Sequence, residues 1–198
     1  MRAVFDSINL GIDAQRIEII IKGKLRVLGG PSQNDIIVFK SDRSPSGNPK
    51  DWFGIWSADS LAQIIVKYAK LLDAEMAVFT ASPVIAPCSV LYSWFENWRN
   101  HAVAGTTESE FGTLSQAALP LSHNPDKLVV RGNVFWGRNE AMRFSHHFGA
   151  VIDSNQFFNQ ESLAVYFDDY AGTITRNYFF ATNSINAVWV RGGGIIDG

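Results

Sequence analysis

The last third of the chain, residues 128–198, repeats itself without gaps, and this repeat limits the folds that the chain can adopt. An Asn-x-Phe-aromatic tetrapeptide begins at Asn133, Asn155 and Asn177, which is a 22-residue step (155 − 133 and 177 − 155). The same step relates four aliphatic residues, Val130, Ile152, Ile174 and Ile196. A fixed period in the twenties is typical of a solenoid, in which each repeat buries its apolar side against its neighbours.

Each repeat contains short apolar runs and no helical periodicity, so it predicts a coil of three strands and three turns. Successive coils would stack about 4.8 Å apart, which brings equivalent residues above one another. Phe135, Phe157 and Phe179 are then predicted to form an inward aromatic stack, beside an inward aliphatic row. The asparagines are predicted to occupy a tight turn, in the left-handed conformation, and to bond up and down the stack.

The preceding part of the chain continues the pattern of short strands. The predicted strands cover residues 17–21, 24–28, 36–39, 53–56, 62–68, 76–79 and 83–85. Residues 61–72 come closest to a helical pattern, but Ile64, Val66 and Tyr68 alternate with other residues, which favours a strand.

A degenerate copy of the repeat spans residues 90–103, with Ala102-Val103 in the place of Ala164-Val165. The rhythm then stops for residues 105–126, a polar stretch rich in Gly, Ser and Thr, and resumes at Leu128. We interpret this stretch as a long loop inserted between coils, and loops of that length are often functional. Residues 1–198 are thus predicted to form one β-helix domain, of which residues 1–16 are a poorly defined start.

These repeats resemble the right-handed parallel β-helix, or pectin-lyase-like, superfamily, over roughly residues 17–198. The opening segments that share the resemblance are Gly23-Lys-Leu-Arg-Val27, Ile36-Ile-Val-Phe-Lys-Ser-Asp42 and Asp51-Trp-Phe-Gly-Ile55. The resemblance implies an all-β solenoid, a single right-handed parallel β-helix, and the period predicts about seven or eight coils. A leucine-rich repeat has a similar length, but its Leu-x-x-Leu-x-Leu motif is absent.

Composition excludes several classes of function. A net charge of −2 and a pI near 6.1 indicate no broad basic face, so nucleic acid is not an expected partner. The sequence contains no run of 18 apolar residues, so no membrane span is predicted. Cys88 is the only cysteine, which excludes an intrachain disulfide or a Cys-rich zinc site and predicts a buried apolar side chain. Asp6 and Asn9 interrupt any secretory signal near the start, whereas the resemblance favours an extracellular or cell-surface location.

The 22-residue step also stacks ionisable residues after the strand predicted at 141–145, 163–167 and 185–189. The two columns are His146–Asp168–Val190 and His147–Asp169–Arg191. The resemblance implies that carboxylates and basic residues at the end of one sheet line a sugar-binding groove. In a catalytic interpretation, His147 beside Asp169 acts as a general base, and Arg191 or Arg143 neutralises a uronate carboxylate.

Further residues would contribute to binding at this edge. Arg143, His146 and Asp168 are predicted to contact the substrate, and Asp168 with Asp169 could instead hold a calcium ion. No other cofactor or metal is expected. The simpler interpretation, which we prefer, is a surface charge ladder of opposite charges on neighbouring strands, worth roughly 0.2–1 kcal/mol a pair. The inserted loop would leave the coil at the same edge and could wall one side of a groove.

Aromatic residues supply another candidate binding surface. Trp94 and Trp98 lie close together, and Trp136, Phe158 and Phe180 form a column beside the phenylalanine stack. Exposed aromatic rings bind the apolar faces of sugars, so Trp94 and Trp98 are predicted to contact a glycan. For the column, packing in the core or beneath a cover is the preferred interpretation, since three outward aromatics would form a sizeable apolar stripe.

The sequence leaves three functions open. The leading hypothesis is a non-catalytic surface or extracellular domain that binds a polysaccharide or cell-surface glycan, or serves as a scaffold. The alternative is a lyase, epimerase or hydrolase acting on an acidic polysaccharide, because the superfamily contains such enzymes and its fold does not settle function. A third is an element that stacks end to end. Neither end shows a capping helix, which predicts a longer parent chain or self-association.

Overall fold

The computed structural model describes residues 17–40, 52–57, 61–80, 86–105, 128–145, 149–168, 172–180, 186–191 and 195–197. In these residues the chain forms a right-handed parallel β-helix, and its one helical element is the 3₁₀ turn Gln33–Asp35. The strands are, in chain order, β1 (Ile17–Ile21), β2 (Lys24–Leu28), β3 (Ile37–Phe39), β4 (Trp52–Ser57), β5 (Gln63–Lys67), β6 (Ala69–Leu72), β7 (Met76–Thr80), β8 (Cys88–Leu91), β9 (Trp94–Glu96), β10 (His101–Gly105), β11 (Leu128–Arg131), β12 (Val134–Trp136), β13 (Met142–Ser145), β14 (Val151–Asp153), β15 (Gln156–Phe158), β16 (Val165–Asp168), β17 (Thr173–Thr175), β18 (Tyr178–Phe180), β19 (Val188–Val190) and β20 (Ile195–Asp197).

Every third strand belongs to the same parallel sheet. Sheet A runs β1-β4-β7-β10-β13-β16-β19, sheet B runs β2-β5-β8-β11-β14-β17-β20, and sheet C runs β3-β6-β9-β12-β15-β18. The described residues thus make six complete coils and two strands of a seventh, close to the number predicted from the period. Residues 61–72, where a helix was the rival interpretation, contain strands β5 and β6. The strand predicted at residues 83–85 lies outside the described residues.

The core is a column of stacked side chains, as predicted. The rings of Phe95, Phe135, Phe157 and Phe179 follow one another on sheet C with centroids 4.9, 5.0 and 4.9 Å apart and with planes within 11° of parallel. On sheet B, Val130 pairs with Ile152 and Ile152 with Ile174, and all three are buried. Ile196 continues this row in the last described strand, where 61% of it is exposed.

The predicted asparagine ladder lies between sheets B and C. Asn133 Nδ2 donates to Val90 O at 2.8 Å and to Asn155 Oδ1 at 3.0 Å, and Asn155 repeats the pattern with Asn177 at 3.0 Å. Ser93 extends the ladder toward the start of the chain, since its backbone N–H donates to Asn133 Oδ1 at 2.9 Å. These amides bind backbone groups that the turn between two sheets would otherwise leave unpaired and buried.

The left-handed residue of this turn is not the asparagine, which corrects that part of the prediction. The preceding residue adopts positive φ instead: Tyr92 at 49°, Gly132 at 68°, Ser154 at 55° and Arg176 at 52°. The reason is that the chain must bend before the asparagine, so that the amide can point inward along the stack. At Gly132 the missing side chain also makes room for Tyr92, whose Cδ1 would lie 2.6 Å from an added Cβ.

Sheet A does not share the step of the other two sheets. Phe135 pairs with Phe157 on sheet C, which is the 22-residue step of the sequence. On sheet A, Met142 pairs with Val165 and Val165 with Val188, which is a 23-residue step (165 − 142 and 188 − 165). The connection from sheet C to sheet A therefore lengthens by one residue in each of these coils, and the connection from sheet A to sheet B shortens by one.

This extra residue moves the predicted ionisable columns out of register. Asp168 pairs with Ser145 rather than lying level with His146, and Val190 pairs with Phe167 rather than with Asp168. By the same pairing, Arg191 comes level with Asp168, not with Asp169. The column His146–Asp168–Val190 is therefore wrong, because it applied the step of sheets B and C to residues that follow sheet A. In the second column, His147 and Asp169 lie outside the described residues.

The degenerate copy of the repeat was placed correctly. Val103 pairs with Met142, which pairs with Val165, so Val103 and Val165 occupy one row as predicted. Gly105 is the last residue of β10 on sheet A, and Leu128 begins β11 on sheet B. The inserted stretch therefore connects sheet A to sheet B, and it departs from the edge of sheet A where β13 and β16 also end. Residues 106–127 lie outside the described residues.

A cluster of charged side chains lies on the outer side of sheet B. Asp153, which is buried, accepts hydrogen bonds from Arg176 Nε at 2.8 Å and from Arg176 Nη2 at 2.6 Å, and it lies 2.8 Å from Arg131 Nε. The Arg176 guanidinium is the main cause that lowers the pKa of Asp153 from 3.8 to about 2, with the hydroxyls of Thr175 and Ser154 adding to it and burial opposing it.

This cluster predicts an acid-sensitive contribution to stability. Because the folded pKa of Asp153 lies below its unfolded value, the contribution is fully present above about pH 4 and is lost as the pH falls to about 2. Urea unfolding of the wild type and of Asp153→Asn across this range should therefore give free energies that converge at the acid end. The exposed pair of Arg138 and Glu161 supplies the control Glu161→Gln. An Asp153→Asn difference that stays constant with pH would contradict this expectation.

Candidate functional site

The predicted catalytic residues fall largely outside the described residues. His146, His147 and Asp169 all lie there, so their predicted roles and the calcium site shared by Asp168 and Asp169 stay predictions. Asp168 is the last residue of β16, and Arg191 follows β19, where its backbone N–H donates to Phe167 O at 2.9 Å. The structure thus brings Asp168 and Arg191 to one edge of sheet A.

Arg143 lies on the outer side of sheet A, in a row with Tyr166 and Trp189. Its guanidinium sits 4.5 Å from the centre of the Tyr166 ring, and its Nη1 lies 3.6 Å from Glu140 Oε2. The Tyr166 and Trp189 rings are 6.4 Å apart, and 49% of Trp189 is exposed. Because a carboxylate already neutralises Arg143, its predicted role as the partner of a substrate carboxylate gains no support from this position.

Further toward the start of the chain, the same outer side of sheet A is buried. Phe53, Trp56, Met76, Phe79 and Ala104 form an apolar cluster that is separate from the core of the helix. These side chains are at most 8% exposed, so this half of the face offers no open surface. This second cluster could not be predicted from the sequence, because alternation predicts only which residues point away from the core.

Two buried ionisable residues were also missed. Burial, with a smaller effect of Arg143, lowers the pKa of His101 from 6.5 to about 3, so this imidazole is neutral at neutral pH. Glu75 is buried and accepts a hydrogen bond from Asn100 Nδ2 at 2.8 Å, with Arg99 Nη1 at 3.4 Å. Neither residue belongs to a recognisable motif, and both are too buried to meet a large ligand.

Trp98 belongs to the core. It is 3% exposed, its ring meets Phe135 edge to face at 6.3 Å, and its Nε1 donates to Glu140 O at 2.9 Å. The left-handed residue Asn97, with φ of 57°, turns the chain after β9 and directs the indole back inward. Trp98 therefore offers no ring face to a ligand, which corrects the prediction that it contacts one.

The outer side of sheet C carries a continuous line of aromatic rings, which we call the aromatic stripe. Its members are Trp94, Trp136, Phe158, Tyr178 and Phe180. Ring centroids are 6.4 Å apart from Trp94 to Trp136, 5.3 Å from Trp136 to Phe158 and 5.8 Å from Phe158 to Phe180. The line thus advances along the axis of the helix by about one ring in each coil.

The aromatic stripe is exposed. Trp136 is 42%, Tyr178 57% and Phe180 52% exposed, and Phe158 is half-buried. The preferred interpretation that the column of Trp136, Phe158 and Phe180 lies in the core or is covered is therefore wrong for Trp136 and Phe180. The cause is the strand geometry: in a three-residue strand whose central phenylalanine points inward, both flanking side chains point outward. Trp94, which is predicted to contact a glycan, is half-buried and points outward from β9 as part of this stripe.

Polar groups accompany the rings. Trp94 Nε1 donates to Glu96 Oε2 at 3.0 Å, and Lys70 Nζ lies 5.9 Å from the centre of the Trp94 ring. Gln156 is exposed between Val134 and Tyr178 in the neighbouring row. The stripe therefore combines flat apolar faces with a few groups able to hydrogen-bond, an arrangement suited to binding.

Comparison with known protein families, with curated proteins and with solved structures gave no match. Among the described residues, no helix has the length and apolar character needed to cross a membrane. In the same part of the chain, no group of three or more His, Cys, Asp or Glu side chains is placed to hold a metal ion.

Proposed function

We propose that this chain is a non-catalytic, glycan-binding member of the pectin-lyase-like superfamily, acting at a cell surface or outside the cell. The aromatic stripe on sheet C is the observation that supports this proposal. Soluble proteins rarely expose several large aromatic side chains in one continuous line unless the line meets a ligand or a partner.

The chemistry of the rings favours sugars. The face of a pyranose ring presents several C–H groups, and these pack well on an indole, phenol or phenyl face. The edges of the same sugar carry hydroxyls that can bond to side chains such as Gln156, or to water. The rings of the stripe can therefore contact the C–H face of a sugar, and the amide of Gln156 beside them can bond to its hydroxyls.

The direction of the stripe favours a polymer over a single sugar. Rings recur in four successive coils, from Trp94 on β9 to Phe180 on β18, so an extended chain along the helix axis would meet several of them. The backbone beneath the aromatic stripe is held by hydrogen bonds between strands. Strands β9, β12 and β15 pair with a strand on each side, and β18 pairs with β15. Rigid aromatic contacts lose little conformational entropy on binding.

The enzymatic alternative loses part of its basis. It relied on two rows, one with His146 and Asp168 and the other with His147, Asp169 and Arg191. The longer step of sheet A pairs Asp168 with Ser145 and Val190 with Phe167, which does not support the first of these rows. The non-catalytic interpretation does not depend on that register.

Removal of one central ring is expected to weaken glycan binding by about tenfold, the equivalent of about 1.4 kcal/mol. Trp136→Ala should show this loss in affinity electrophoresis against a panel of soluble polysaccharides. The matched control is Trp189→Ala, which removes an indole that is similarly exposed (49% against 42%) but stands on sheet A.

Two results would overturn the proposal. One is that no polysaccharide of the panel retards the wild-type protein. The other is that light scattering shows a stable dimer which Trp136→Ala converts to a monomer, because the stripe would then be an interface between copies of this chain.

A further inference from the structure

We infer that the aromatic stripe binds an uncharged, linear glycan along the helix axis, rather than an acidic polysaccharide. This inference rests on the proposed function and adds the chemical class of its ligand. It concerns the three strands β12, β15 and β18, which are described in full and carry most of the stripe.

The outward side chains of these three strands carry no formal charge. They are Val134, Trp136, Gln156, Phe158, Tyr178 and Phe180. Lys70 and Glu96, the charged groups near Trp94, stand one or two coils earlier. From β12 onward, a ligand on this face therefore meets rings, one amide, one phenol and a valine.

An acidic glycan would bind weakly to such a face. The face of an aromatic ring carries negative electrostatic potential, which attracts cations and repels anions. A carboxylate placed against it would also lose water without gaining a partner, and an uncompensated buried charge is costly. A polyuronate carries one carboxylate on each sugar, so this cost would recur along the chain.

The arginines beside the stripe are engaged by carboxylates. Arg138 Nε lies 3.5 Å from Glu161 Oε1 at the turns that follow β12 and β15. Arg131, the last residue of β11, and Arg176, at the turn that precedes β18, share the single carboxylate of Asp153. Three arginines and two carboxylates leave a net charge of +1 beside the stripe (3 − 2), which is less than the repeated negative charge of a polyuronate.

Uncharged polar groups suit the hydroxyls of a neutral sugar. Gln156 can donate and accept through its amide, and Tyr178 can do both through its hydroxyl. Both are exposed, with Tyr178 at 57%, and both stand in the row beside the rings of Trp136 and Phe158. A pyranose lying on the rings would thus have its edge toward these two groups.

The test compares neutral and acidic probes on the same protein. Hydroxyethyl cellulose, galactomannan and xyloglucan serve as the neutral polysaccharides, and polygalacturonate and heparin as the acidic ones. We expect at least one neutral probe to bind at least about tenfold more tightly than either acidic probe. Its affinity should be the same at about 0.1 M and about 1 M salt, since no ion pair contributes.

A charge-introducing pair of variants locates the ligand. Gln156→Lys should strengthen polygalacturonate binding and make it salt-dependent, whereas Gln156→Leu, of similar size, should not. Trp136→Ala should weaken binding of the neutral probe by about tenfold. If Gln156→Lys leaves the acidic probe unaffected, the ligand does not lie on this face and the inference is wrong.

The two proposals fail in different ways. If neither class of polysaccharide binds, the proposed function fails, and this inference with it. If polygalacturonate or heparin binds more tightly than every neutral probe, with an affinity that falls as salt rises, glycan binding stands and the uncharged ligand is refuted.

Discussion

Phe157→Ala is expected to lower the free energy of unfolding by about 3–5 kcal/mol, as for other large-to-small changes in protein cores. Phe157 is fully buried, and its ring lies 5.0 Å from Phe135 and 4.9 Å from Phe179. Truncation would open a cavity in the middle of the stack and remove one stacking partner from each of the rings on either side. Urea unfolding followed by circular dichroism measures the change, since the midpoint should fall while the denaturant dependence stays the same.

The chain offers a control of the same residue type. Phe180 lies on the neighbouring strand β18, where it follows Phe179 and points outward with 52% of it exposed. Phe180→Ala should therefore cost less than about 1 kcal/mol. Nearly equal losses for the two variants would mean that the phenylalanine stack does not stabilise the helix more than its exposed neighbours do.

The second large effect is expected for Asn155→Ala, with a loss of about 2–4 kcal/mol. Asn155 Nδ2 donates to Val130 O at 3.0 Å and to Asn177 Oδ1 at 3.0 Å. Its Oδ1 accepts from the backbone N–H of Asn133 at 3.0 Å and from Asn133 Nδ2 at 3.0 Å. Alanine would leave buried donors and acceptors in two neighbouring coils without partners, and each such group is costly.

An exposed turn asparagine provides the comparison. Asn159 adopts φ of 58° on the next turn, so Asn159→Gly keeps the backbone conformation and should change stability by less than about 1 kcal/mol. Hydrogen exchange adds a local measurement, because Asn155→Ala should speed exchange at the amides of Asn133 and Gln156. A protection pattern identical to that of the wild type would show that the ladder contributes little.

Much of the fold could be predicted from the sequence because its period is an observable quantity. The asparagine and phenylalanine positions recur at the same step in sheets B and C, so the sequence alone identified both the ladder and the inward stack. The conformation at the turn was harder to predict. Asparagine is prone to left-handed φ, but here Ser154 and Arg176 take that conformation while the amide is used for hydrogen bonds.

The candidate site was predicted less well, for two physical reasons. The ionisable rows depended on a register in sheet A that the sequence period does not report, since compensating turns hide the extra residue. Alternation predicted that Trp136 would point outward, but the unfavourable exposure of large rings argued for a cover. For Trp98 the prediction failed in the opposite direction, because the ring was expected to be exposed and is buried. The left-handed conformation of Asn97 turns the chain so that the indole points into the core.

The unequal step of the three sheets has a consequence for protein engineering. A 22-residue unit such as residues 151–172 can be duplicated without changing the register of sheets B and C. The reason is that these two sheets repeat every 22 residues. In sheet A the duplicate would return to the shorter step, one residue less than the native one. Designers who lengthen this helix can therefore choose which outer side chains become neighbours on sheet A by adding or deleting a single turn residue, while the core of the other two sheets stays in place.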